Sequence, residues 1–241
     1  NEIDGASVLP TAVTATQPEV NIALGKQYWQ HSELGDLVQP EGISYPFRNI
    51  LSETIRNLFF HVPLWFGMII IFAVAMVKSI GQLRNPGTLR NDWWASALTS
   101  IGILYGILGL TTGAIWAKHT WGAYWNFDIK QNMSAILMLI YGAYFVLRNS
   151  FEDPEKQARI GAIYNIFAFA TIIPLLFVFP RMVDSLHPGN GGNPGFGGED
   201  LDNTMRLVFY PSIIGWTLLG LWMAQIQFRS KRLQERLLDD F

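Results

Sequence analysis

Five stretches of the chain are almost purely apolar, and polar or charged residues collect in the gaps between them. The runs are Leu58–Val77, Ala95–Ala117, Met133–Leu147, Ile160–Phe179 and Leu207–Phe228. A helix crosses a hydrocarbon core of roughly 30 Å with about 20 residues, within a range of about 17–25. Four runs reach that length, and the third enters the range when extended through Asn132 and Arg148. The pattern predicts an all-α polytopic membrane protein with five transmembrane helices, at 58–77, 95–117, 132–148, 160–179 and 207–228. A soluble bundle would need a polar outer face on each helix, and these runs are too uniformly apolar to supply one.

Basic residues in the short loops give the orientation. One face receives Lys78, Arg84 and Arg90, then Arg148, Lys156 and Arg159, then Arg229, Lys231, Arg232 and Arg236. The other has Lys118 and Lys130 in one loop and Arg181 and Arg206 in the next. The first face is therefore expected to be cytoplasmic. Five spans with an inside C-terminus place residues 1–50 outside, as a polar extracytoplasmic extension ahead of a membrane domain at 51–241. The chain begins with Asn1, so a processed or partly represented N-terminus is expected.

Composition supports this picture. Of 241 residues, 50% are hydrophobic and 15% charged, against about 25% charged in ordinary soluble domains. A net charge of -2 with no basic stripe argues against nucleic-acid binding. The absence of cysteine removes disulfides, thiolate metal sites and covalent thioether attachment of a haem.

With that orientation all four histidines, His31, His61, His119 and His187, fall on the outer side. Between the second and the last lies a dense aromatic cluster, Trp116, Trp121, Tyr124, Trp125 and Phe127, closed by Asp128. Imidazoles beside flat aromatic surface suit a planar iron porphyrin. Trp121, Trp125 and Asp128 are spaced i, i+4, i+7, which on a helix forms one face with Tyr124 adjacent. Such a helix would float at the bilayer boundary, with Asp128 able to orient an imidazole through its ring N–H.

His61 lies near the outer end of the first span. Ser52 is a candidate cap for its helix, with Glu53 in the first turn. Pro63 removes a donor to Phe59 and predicts a kink, and Trp65 shares the histidine's face. A polar group at such depth is a functional candidate, though a structural bond to a neighbouring carbonyl explains it equally. His187 is a loop histidine followed by the glycine-rich 188–198. His119 and His31 read as interfacial and solvent-facing. Arg56, Lys118, Lys130 and Arg181 are cations that either pair with haem propionates or snorkel.

These residues resemble a known family. The run Arg56-Asn-Leu-Phe-Phe-His61-Val-Pro63 is similar to the Arg-x-x-x-x-His-Val-Pro of the CcmC-type haem-handling proteins of cytochrome c maturation. Trp116-Ala-Lys118-His119-Thr-Trp121-Gly122-x-x-Trp125-x-x-Asp128 resembles their tryptophan-rich signature, and Leu186-His187 before a glycine resembles their second histidine motif. The three motifs occur in family order across roughly residues 50–230. The resemblance implies non-covalent, b-type haem held at the extracytoplasmic face, with His61 and His187 as axial ligands and Trp121 to Asp128 holding the macrocycle. It implies a bacterial inner membrane with the site on the periplasmic side. It implies an ATP-binding-cassette export module, a small membrane subunit and a membrane-anchored haem chaperone as partners. Family members usually have six spans, so one would precede residue 1. Tyr124 and Phe127 stand where the family usually has tryptophans.

The expected function is delivery of haem to that chaperone rather than turnover of a small substrate, since no nucleophile or acid–base pair demands an enzyme. The alternatives are a cytochrome b-like electron-transfer subunit and a non-haem structural subunit of a membrane complex.

Overall fold

The computed structural model describes residues 55–187 and 201–239. His31, Ser52, Glu53, residues 1–50 and the glycine-rich 188–198 lie outside them. The chain divides into two units, residues 1–56 and 57–241. The second is all-helical among the described residues. Its helices are α1 (Leu58–Arg84), α2 (Arg90–Trp121), α3 (Ile129–Arg148), α4 (Pro154–Ile172) and α5 (Asn203–Asp239). A short 3-10 turn, Ile55–Asn57, leads into α1. α4 continues as a π-helical segment, Ile173–Val178, and a 3-10 turn, Phe179–Arg181.

Four of the expected spans are helices long and apolar enough to cross a membrane: Leu58–Arg84, Arg90–Trp121, Pro154–Arg181 and Asn203–Leu237. The third expected span forms helix α3, which is not one of these four. Gln131, Ser134, Tyr141, Tyr144 and Arg148 of α3 are all buried. Its inward face is therefore polar and aromatic, and this lowers the hydropathy of the whole segment.

α1 is central, packing on α2, α4 and α5, while α3 packs on α2 and α4. The α1–α2 pair is antiparallel with a tight register. A Cβ added at Gly102, Gly106, Gly109 or Gly113 of α2 would meet Phe72, Met68, Trp65 or His61 of α1 within 3.1 Å. Numbers rise along one helix as they fall along the other, and both series step by four, three and four. Small residues of this kind let backbones approach where side-chain packing, rather than water exclusion, drives association.

Polar side chains tie the bundle internally. Asn165 of α4 donates to Ser79 of α1 at 3.1 Å and Thr99 of α2 at 3.0 Å. At the end opposite His61, Asp92 of α2 and Arg148 of α3 form a buried bidentate ion pair, and Gln82 accepts the Asp92 N–H at 3.0 Å.

Candidate haem-handling site

α2 ends at Trp121 because Gly122 adopts the left-handed conformation, φ 87°, and returns its N–H to the Lys118 carbonyl. α3 begins at Ile129 because Asp128, in extended conformation, caps it through Lys130 N–H. Residues 122–128 between them are a loop, which overturns the expected surface helix and its i, i+4, i+7 face. The loop is fixed by the first turn of α3. Gln131 accepts from Asn126 N–H at 2.9 Å and donates to the Tyr124 carbonyl. Asn132 accepts the Trp125 indole N–H at 3.2 Å and donates to the Phe127 carbonyl.

The expected aromatic platform is split by this loop. Tyr124 and Phe127 are 60% and 77% exposed, and Phe127 takes a left-handed φ of 56°. Trp125 is turned to Asn132. Trp116 and Trp121 are the pair that meets a histidine. They stand edge-to-face 5.1 Å apart, with the His187 ring 4.8 Å from Trp121 and 6.3 Å from Trp116.

Asp128 gathers the His187 segment. Its carboxylate accepts from His187 Nδ1 at 2.6 Å, Leu186 N–H at 2.8 Å and Ser185 Oγ at 3.0 Å. Burial alone would push this carboxyl up. The hydrogen bonds from His187, Leu186 and Ser185 outweigh it and hold the group well below its ordinary 3.8. A carboxyl depressed on folding adds stability above its unfolded value and loses it as pH falls through the folded value. The tether should therefore hold from neutrality to about pH 4 and loosen only in stronger acid. Tryptophan fluorescence of the Trp121–His187 contact reads this. A transition in the Asp128 tether between pH 7 and 5 would contradict it.

His61 is held differently. Its Nδ1 lies 3.0 Å from the Gly109 carbonyl and 3.1 Å from Thr112 Oγ1, and its ring meets Trp65 edge-on at 6.3 Å. Asn57 adds a bond to the Thr112 carbonyl. α1 runs on through Pro63. His61 is bonded to Gly109 and Thr112 and His187 lies against Trp116 and Trp121, so both rings stand beside the last turns of α2.

A carbonyl and a carboxylate only accept, so each imidazole carries a proton on Nδ1, and its neutral form has the lone pair on Nε2. Among the described residues no hydrogen bond engages either Nε2. Histidines that bind metals commonly have the other ring nitrogen held by an acceptor in this way.

Lys130 is half-buried. Arg181 itself donates to the Phe177 carbonyl at 2.8 Å. His119 is exposed in the last turn of α2, and Arg56 is exposed in the turn before α1. Thr112, Gly109, Gly113, Ser185, Gln131 and Asn132 were not singled out by sequence reasoning. The matched four–three–four spacing in the two helices was the available signal for the first group.

The profile of the family described as CcmC, Heme exporter protein C, matches residues 45–240. The chain is 28% identical over 186 residues to the Heme exporter protein C of Bradyrhizobium diazoefficiens, covering 76% of this chain and 68% of that protein. It is 24% identical over 180 residues to that of Escherichia coli K12, covering 74% and 70%. A cytochrome c biogenesis protein CcsA from Oenothera argillicola matches at 27% over 103 residues, 43% of this chain and 31% of that protein. The motifs, their order along the helices and this coverage lead to one conclusion: the chain belongs to the CcmC, Heme exporter protein C, family of cytochrome c biogenesis.

Proposed function

We propose that the chain binds haem at the end of the bundle that carries His61 and His187, uses these imidazoles as axial ligands, and delivers the haem to a chaperone for cytochrome c maturation. The observation that carries this reading is the shared state of the two rings, with Nδ1 held by an acceptor and Nε2 left to bind. Two protein donors suit a metal that brings four equatorial nitrogens of its own. Among the described residues no cluster of three or more His, Asp or Glu is placed to hold a bare ion.

Trp116, Trp121 and Trp65 supply apolar ring surface beside the two ligands, and Lys130 is the cation placed near Asp128 for a propionate. Tyr124, Trp125 and Phe127 form the outer rim through which an acceptor approaches. Ser185 donates to Asp128 rather than to the His187 ring, so the group is not arranged as a nucleophile and base.

α3 serves as the fifth span in this reading. Its 20 residues give about 30 Å of helix, and its polar residues face protein. The basic loops then face the cytoplasm, and the histidines face the periplasm of a bacterial inner membrane. An ATP-driven export module and a small membrane subunit complete the assembly.

The test is the absorption spectrum of the purified full chain after haemin loading. Wild type should give six-coordinate, low-spin haem, and His61→Ala and His187→Ala should each lose that signature. Identical spectra in all three would end the proposal.

A further inference from the structure

We propose that the two histidines are unequal partners: His61 is the fixed ligand and His187 the releasable one, with Ser185 as the positioning residue that sets how readily it leaves. This rests on the haem-binding reading above.

His61 is embedded in the α1–α2 seam. A Cβ at Gly113 would stand 2.6 Å from its Cε1, so the ring fills the space that glycine leaves. Its Nδ1 is bonded to the α2 backbone and to Thr112. Displacing the ring means parting two helices whose close contact runs on through Trp65, Met68 and Phe72.

His187 belongs to no helix. The chain reaches it from a π-helical segment containing Pro174 and a 3-10 turn containing Pro180. π-Segments inside helices mark places where regular geometry has been given up, often near functional sites. Met182, Val183, Asp184 and Leu186 are exposed. Among the described residues the segment is held by bonds converging on Asp128 and by the ring contacts of His187 with Trp116 and Trp121. Ser185 makes one of these bonds, donating to Asp128 at 3.0 Å, and also accepts the His187 N–H at 3.1 Å. Segments with few buried apolar contacts open at much lower free energy than packed helices.

Exchange then proceeds on the His187 side. The bond from iron to His187 Nε2 breaks, and a bond to an entering neutral or anionic donor forms. The Nδ1 proton stays in its hydrogen bond to Asp128, so no proton transfer is required. The chemistry of the acceptor follows: it must offer a lone pair on the face lined by Trp116 and Trp121.

The experiment uses the haem-loaded full chain in detergent micelles, with cyanide as the entering ligand followed by stopped-flow absorbance. Ser185→Ala should speed cyanide entry by about tenfold, the equivalent of one hydrogen bond. Ser185→Thr, which keeps the hydroxyl, should restore a slow rate. Thr112→Val, on the fixed side, should shift the absorption bands without a comparable acceleration. In the haem-free chain, amide exchange should be faster over 183–187 than over 59–65, and Ser185→Ala should widen that gap. Acceleration by Thr112→Val equal to that by Ser185→Ala overturns the inference while leaving the ligands in place, as does equal exchange of the two segments. Wild type that never shows six-coordinate haem overturns both this inference and the reading it rests on.

Discussion

Asp128→Ala should lower haem affinity by about 10- to 100-fold, the range for partners that orient ligating histidines. The carboxylate holds the His187 ring, the Leu186 N–H and the Ser185 hydroxyl together. Its loss leaves three donors without their acceptor and frees the ring to rotate and change tautomer. It also removes the cap of α3, worth about 1 kcal/mol. Asp128→Asn separates the two effects, since asparagine caps helices as well as aspartate does but carries no charge to favour Nδ1–H. It should retain thermal stability and still lose about tenfold in affinity. Titration of the Soret band with haemin, beside melting in detergent, gives both numbers. An alanine variant that binds haem like wild type would show that Asp128 is only a helix cap.

Arg148→Met should destabilise the bundle by about 3–5 kcal/mol, because it leaves Asp92 as an uncompensated buried charge. Asp92 and Arg148 are 3% and 8% exposed. One bond of the pair measures 2.6 Å, and the Asp92 N–H is occupied by Gln82. The contrast is with Asp92→Leu/Arg148→Met, which removes both charges and should recover most of the loss, since an apolar pair of similar volume often matches a buried ion pair. Thermal unfolding of the three proteins in one detergent measures this. A single variant as stable as the double would mean that water reaches the pair and screens it. Haem ligation should change little in the double variant, because the ion pair and the histidines occupy opposite ends of the bundle.

The apolar runs located all five helices, and the ends of helices were less legible than their centres. α2 begins five residues before its apolar run, and α5 extends eleven beyond, because polar residues continue a helix once its middle is packed. α3 was the hardest to classify from hydropathy because its protein-facing residues, Gln131, Tyr141 and Arg148, are polar where a lipid-facing helix would be apolar. The tryptophan-rich segment was assigned by periodicity, and its punctuation was the better guide. Gly122 follows a basic last turn, and Asp128 precedes an apolar run. These are the ordinary stop and start signals of helices, and two tryptophans and an aspartate at helical spacing do not outweigh them.

The contact between Asp128 and His187 spans 59 residues. No local pattern encodes it. Aspartate was legible as a candidate to orient an imidazole, but which imidazole depended on how α4 and its π-segment return the chain to the start of α3. The partners of His61 were closer to the surface of the sequence. His61, Trp65, Met68 and Phe72 have the same four–three–four spacing as Gly102, Gly106, Gly109 and Gly113, so each set marks one face of its helix, and the structure pairs the two faces.

That match works as a rack and pinion with no slack. Sliding α1 along α2 by one residue would drive an indole or a phenyl ring into a backbone that only a missing side chain can admit. The teeth extend from His61 to Phe72, about 16 Å of helix, so the position of His61 along α2 is set by a phenylalanine three turns away. Enlarging any one of the four glycines should therefore be felt at the imidazole as a shift along α2, even when the substituted position lies three turns away.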